Sequence, residues 1–368
     1  MNWNLVTYGA QLCNGKLWFS NKNFNGLFSI DVVTNELKYI SSFPGEKLER
    51  WGMHKKCLIY KNRLIFIPAY GNNIHVYAPY DDSMITYQFE SNDLEKDPQI
   101  DRVSDAVIRD GCVYILPMDY EGELKKFDVE TGTLESVPEF MKQIREVSSD
   151  EKKYLLTRAD IDNEGCIRFA LWDKNILCNY DISKKKLYTH KCRVDHIFSS
   201  HIINGQVFII SNEVDSLYTI SNNDGIEKLI GSEREQDDYK RKYNRVIKFG
   251  SSIIVLPAFD DCVYAVKNGE IVEIAKLDMI IKDAPAIGSF DVCMVNGDLW
   301  ILPFGTCDGI VIGEDLAERR RISFELTDED SKKSILQAIF AEKNASGIMQ
   351  ESKNWGIGDF ISAFANGD

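Results

Sequence analysis

A single unit recurs seven times along the chain, and this recurrence constrains the fold more than any other feature. Its clearest copy spans residues 112–134, CVYILPMDYEGELKKFDVETGTL. An apolar run, residues 113–116, stops at Pro117. A polar loop follows, then a second run ending in Phe127-Asp128, a turn through Glu130-Thr131-Gly132, and a third run from Leu134. The first residues of the central apolar runs are Leu17, Leu64, Val113, Ile167, Val207, Ile253 and Leu299, spaced by 47, 49, 54, 40, 46 and 46 residues. A period of about 40–50 residues is that of a propeller blade built from four strands.

The punctuation of each copy supports this reading. Asn14-Gly15, Asp110-Gly111, Asn204-Gly205 and Asn296-Gly297 precede four of the anchors, and Gly165 and Gly250 hold looser versions. Asn-Gly and Asp-Gly accept the positive φ angles of a type I′ hairpin, whose twist matches that of the strands it joins. Blade 2 has Lys61-Asn62 there, a weaker signal. Each turn implies an inner strand, A, before the anchor strand, B. Pro68, Pro117, Pro257 and Pro303 fall four residues after their anchors and end strand B, because proline has no N–H for the ladder. Strand C follows, closed by Asp31, Asp128 or Asp181 with Thr34, Thr131 or Ser183, whose short side chains fix a turn. The outer strand, D, is more polar, as an edge facing water should be.

Strand B is apolar on both sides, as in Leu64-Ile65-Phe66-Ile67. A strand of that kind is covered on both faces, which blades sandwiched between neighbours require and a simple two-sheet sandwich does not. The expected fold is therefore all-β: a seven-bladed propeller of four-stranded antiparallel blades over residues 1–326. Blade 1 has its own A strand and blade 7 its own D strand, so the ring closes without a strand exchanged between the termini. Residues 327–368 form a helical tail, with Asp328, Glu329 and Asp330 at its positive end and Ile335, Leu336, Ile339 and Phe340 on one face. This face docks on the propeller or on a partner. A second short helix is expected at PEFMKQIREV, after Val137.

The C-to-D segments IDVVTNEL, FDVETGTL and YDISKKKL resemble the turns of kelch-like and quinoprotein-like propellers. The resemblance covers the repeat region as architecture. The paired glycines of kelch repeats and the Trp-Asp dipeptide of WD repeats are absent, so what it implies is the fold, and the fold hosts scaffolds, sugar binders, lyases and dehydrogenases.

Charge narrows the partners. With 43 basic and 57 acidic residues the chain carries −14, which opposes a nucleic-acid or anionic-membrane partner. No apolar run reaches the roughly 20 residues of a membrane span, and no basic-then-apolar leader opens the chain. Nine cysteines without a C-x-x-C read as buried thiols of a cytoplasmic protein. The five histidines, spread over the repeats, show no metal-ligand spacing, and no metal or cofactor is expected.

The B-to-C loops carry the candidate site. Tyr70, Asp119, Tyr120, Trp172, Phe259, Asp261 and Phe304 lie in them, and Trp51 lies in a D-to-A connection that opens on the same end of the blades. Two readings stand. The aromatics plug gaps between blades, or they form a ligand platform with an acidic rim, where rings stack on a sugar or cation and carboxylates accept its hydrogen bonds. The leading expectation is a non-catalytic propeller binding a partner protein or a glycan-like ligand. The alternative is a glycan- or peptide-modifying enzyme at the same mouth, with paired carboxylates such as Asp260 and Asp261. The opposite end, with its two-residue turns, is expected to offer little for recognition.

Overall fold

The computed structural model describes residues 5–48, 52–89, 102–118, 122–147, 156–172, 174–212, 217–221, 227–230, 242–258, 261–277, 291–302 and 308–346. They form seven four-stranded antiparallel sheets, each with its strands in the spatial order A-B-C-D: the blades of a β-propeller. Strand A of blade 1 is Thr7–Cys13 and strand D of blade 7 is Glu318–Ser323, so each terminal blade is built from one continuous stretch. Two compact units share the blades. One comprises Met1–Asp101, Asp291–Ile312 and Arg319–Asp368. The other comprises Arg102–Phe290 and Gly313–Glu318.

In the first unit, blades 1 and 7 meet face to face. Phe19 stacks on Phe28 at 5.7 Å and meets Phe324 at 5.9 Å, within a core that includes Leu17, Trp300 and Val311. A second core joins blades 1 and 2 through Trp18, Phe43, Met53 and Phe66. Gly9, at φ +64°, lets strand A of blade 1 lie against that of blade 2. A Cβ there would overlap the Cys57 backbone nitrogen, and Gln11 Nε2 donates to the Cys57 carbonyl (3.0 Å) nearby.

The second unit uses carboxylates to staple successive inner strands. Ala159 N–H donates to the buried Asp105 Oδ2 (2.9 Å), and Ile202 N–H donates to Asp160 Oδ2 (3.0 Å). Strand A of blade 4 is only Asp160–Ile161, extended by an isolated bridge between Leu156 and Leu171.

Both expected helices form. Helix α1, Pro138–Val147, buries Phe140, Met141 and Ile144, and Phe140 meets Tyr180 edge-on at 4.9 Å. Helix α2, Glu329–Ser346, buries Ile335 completely, with Leu336 packed beside it. The side chains of Ile339 and Phe340 lie outside the described set. Asp328 caps α2: its Oδ2 accepts from Ser331 N–H at 2.8 Å.

The turns take the expected geometry. Asp31 Oδ1 accepts from the N–H groups of Val33 (2.9 Å) and Thr34 (3.0 Å), and Asp128 Oδ1 does the same for Glu130 and Thr131 (2.9 Å each). These backbone bonds hold both carboxyls below the usual carboxylate range.

Candidate functional site

Three of the expected site residues can be placed: Tyr70, Trp172 and Asp261, in the B-to-C loops of blades 2, 4 and 6. Trp51, Asp119, Tyr120, Phe259 and Phe304 lie outside the described residues.

Tyr70 is half-buried, and one side of its ring lies on Gly52, where a Cβ would come within 2.8 Å of Cδ2. Gly52 has φ +59° and belongs to the connection from blade 1 to blade 2. The two segments also share backbone bonds. Tyr70 N–H donates to the Gly52 carbonyl (3.3 Å), and Ala69 and Gly71 N–H donate to that of Met53 (2.8 and 3.0 Å).

Around this contact the loops of blades 1 and 2 form one hydrogen-bonded layer. Buried Asn25 donates through Nδ2 to the carbonyls of Phe43 (3.0 Å) and Glu46 (3.1 Å) and accepts from Phe43 N–H (2.7 Å). Glu46 Oε1 accepts from Asn72 N–H (2.6 Å) and Asn73 Nδ2 (2.8 Å).

Under the layer lies a chain of buried polar groups. Ser20 Oγ is 2.9 Å from His54 Nδ1, His54 Nε2 is 3.1 Å from His75 Nδ1, and His75 Nε2 is 3.0 Å from the Pro44 carbonyl. The proton positions follow from the end group. A carbonyl only accepts, so His75 Nε2 donates. Neutral His75 then accepts at Nδ1, His54 donates from Nε2, and the Ser20 hydroxyl donates to His54 Nδ1. Both rings are neutral because burial opposes their charging. His54 is held well below the ordinary histidine value, by burial first and by the neighbouring His75 second, and burial lowers His75 to about 4. Phe43 packs edge-on to His54 at 4.3 Å. Sequence reading spread the histidines over different blades, whereas His54 and His75 occupy strands A and C of the same blade. A pair 21 residues apart is legible only once the strand register is known.

Trp172 is half-buried in a short turn where Leu171 N–H donates to the Ile176 carbonyl (3.0 Å) and Lys174 N–H to that of Leu171 (3.2 Å). Ile197 N–H donates to the Lys174 carbonyl (3.0 Å), tying the turn to blade 5. Asp261 is held by its own blade. Its Oδ2 is 3.1 Å from Lys276 Nζ on strand D, and its Oδ1 accepts from the Cys262 thiol at 3.3 Å. The hydrogen bond and charge of Asp261 raise the Lys276 pKa. An aspartate so engaged braces the loop. Among the described residues no group of three His, Cys, Asp or Glu side chains is arranged to hold a metal ion, and no helix is long and apolar enough to cross a membrane.

Comparisons agree with the architecture. No protein-family model matches the chain, and no curated protein sequence matches it. Among solved structures the chain is similar to a streptogramin B lyase, with a TM-score of 0.59 and 12% identity over 81% of this chain and 90% of that one. It is similar to a catalytically inactive virginiamycin B lyase from Staphylococcus aureus with quinupristin, at 0.58 and 11% over 82% and 94%. It is also similar to PorZ, a surface component of the type-IX secretion system of Porphyromonas gingivalis, at 0.58 and 11% over 88% of this chain and 39% of that one. At such identities the likeness is one of fold, shared by lyases and by a secretion-system surface component.

Proposed function

We propose that this chain is a binding propeller whose B-to-C loops, with the neighbouring D-to-A connections, present a surface to a partner protein or a glycan-like ligand. The observation that carries the reading is the loop layer of blades 1 and 2. Asn25 and Glu46 fix it from within, and Gly52 seats Tyr70, whose ring is only partly covered. A surface whose backbone is set before the ligand arrives loses little conformational freedom on binding. The described acidic candidate, Asp261, is paired with Lys276, which favours recognition over acid–base chemistry at that position. In the second unit the proposal rests on Tyr120, Trp172 and Phe259 with Asp119. In the first it rests on Trp51, Tyr70 and Phe304. The proposal includes a reducing, cytoplasmic setting, which the cysteine pattern of the sequence supports.

Alanine substitutions at Tyr120, Trp172 and Phe259, assayed by glycan array and by affinity capture, test it. The expected outcome is binding lost by roughly tenfold or more, as for aromatic anchors worth above about 1.4 kcal/mol, with the melting temperature little changed. A lower melting temperature with undiminished binding would make these rings packing residues.

A further inference from the structure

The end of the blades that carries the short turns holds a slot of about 250 Å³ between blades 4 and 5, within the second unit. One wall is polar. Arg168, Asn179 and Tyr188 lie in register across strands B, C and D of blade 4, with His190 in the next row. The facing wall belongs to blade 5 and is aliphatic: Ile202, Val207 and Ile220, with the Ser200 hydroxyl at its edge. Ile202 is two residues before the Asn204-Gly205 turn, and Asn179 is two before the Asp181 turn, which places the slot at the turn end of the blades. Sequence reading expected that end to offer little for recognition. The slot arises from the spacing of two facing sheets, which turn lengths do not report.

The chemistry of the walls selects the occupant. Arg168 directs Nε (3.0 Å) and Nη2 (2.8 Å) to Asp162 Oδ2, so its charge is already balanced and an anion gains little from it in a chain of net charge −14. None of the described lining residues is a carboxylate, so a cation finds no counter-charge. What remains is a neutral ligand that both gives and takes hydrogen bonds. Asn179 is half-buried, and its covered Oδ1 has no hydrogen-bond partner among the described residues. No bond through that atom resists a half-turn of the amide, which would present an acceptor to the slot. Arg168 supplies donors, and the hydroxyls of Ser200 and Tyr188 both donate and accept. The Tyr188 ring, 43% exposed with Lys186 Nζ 5.2 Å from its centroid, offers a flat apolar face at the mouth. The volume lies below the roughly 300–1,000 Å³ of sites for drug-sized molecules, which limits the occupant to about one sugar-sized ring.

We propose that this slot binds a neutral polyhydroxylated ring of monosaccharide size, one ring face against Tyr188 and its hydroxyls on Asn179, Arg168 and Ser200. The proposal is independent of the loop surface and uses none of its residues.

Methyl-resolved NMR of the full chain provides the test, because Ile202, Val207 and Ile220 are reporters built into the wall. The probes are the methyl glycosides of glucose, galactose and mannose, with N-acetylglucosamine, and separately acetate, methylammonium and adenine. The expected result is a saturable shift of those three methyl signals with at least one sugar and with none of the other probes. Tyr188→Ala, at an exposed position, weakens it by about two- to tenfold, the worth of a stacked ring. Asn179→Leu weakens it by about tenfold. Should Asn179→Leu fail to fold, Tyr188→Ala alone decides. No shift with any sugar, a shift unchanged in Tyr188→Ala, or displacement of the sugar by acetate or adenine would overturn the proposal.

Discussion

At Lys61 and Asn62 the chain holds two L-residues at φ +46° and +60°, where the A-to-B turns of blades 1, 3, 5 and 7 hold an Asn or Asp followed by Gly, as in Asn14 at +52° and Gly15 at +71°. The hairpin geometry is the same, so the surrounding strands impose it on a poorer sequence. Lysine resists the left-handed region for steric reasons, and asparagine and glycine enter it readily. Replacing the pair by Asn-Gly is expected to raise stability by about 1 kcal/mol in urea unfolding, with an unchanged m-value. The buried histidines act in the opposite sense on acidification. Their folded values lie below the unfolded value of about 6.5, so between pH 6.5 and about 4 the unfolded chain binds protons that the folded chain refuses. Their contribution is complete above pH 6.5 and is lost as pH falls through that window. At pH 5 the cost is about 2 kcal/mol from His75 alone. Urea unfolding at pH 7.5 and pH 5.0 measures it, and equal stabilities would mean that the rings are not sealed from water.

At the scale of elements, the two helices do one job in their separate units. Each satisfies an outward-facing N–H on an outermost strand with a side chain. Tyr39 N–H, on strand D of blade 1, donates to Ser331 Oγ of α2 at 3.0 Å, and Leu187 N–H, on strand D of blade 4, donates to Gln143 Oε1 of α1 at 2.8 Å. An open strand edge is a template for unwanted pairing, and a helix laid over it removes the hazard. Ile335, fully buried beside blade 1, anchors α2. Ile335→Ala is expected to cost about 2–5 kcal/mol, as for other large-to-small changes in a core. Ser331→Ala should cost about 1–3 kcal/mol, because it leaves the Tyr39 N–H without its acceptor. Chemical unfolding of the two variants checks both values. The sequence made α1 legible through Pro138 at a first helical position and the spacing of Phe140, Met141 and Ile144, and α2 through its acidic start at Asp328 and the spacing of Ile335, Leu336, Ile339 and Phe340. What each helix covers was not legible. Gln143 and Ser331 are ordinary surface residues until the strand beside them is known. The histidine pair and Asn25 stayed hidden for the same reason: their partners lie 18 to 34 residues away, across a register that only the fold sets.

At the scale of the molecule, seven sheets follow from seven repeats because no single blade can bury its apolar B strand alone. The recurrence of turn residues and of the B-strand stop was enough to derive the blade, its strand order and the unshared terminal blades. The loops that follow strand B were derivable as a group, since strand B stops at one place in each copy. Their individual roles diverge. Asp261 braces its own blade, Tyr70 seals a connection while staying partly exposed, and Trp172 sits in a tight turn. The central claim is that the loop end of the blades is where a partner docks. The most direct measurement places a photo-crosslinking amino acid in living cells at Tyr120, Trp172 or Phe259, and at Asn204 or Lys248 on the turn end of the same unit. The account predicts a crosslinked species of defined mass from the loop-end positions and none from the turn-end positions. The same species from both ends, or from the turn end alone, would contradict it.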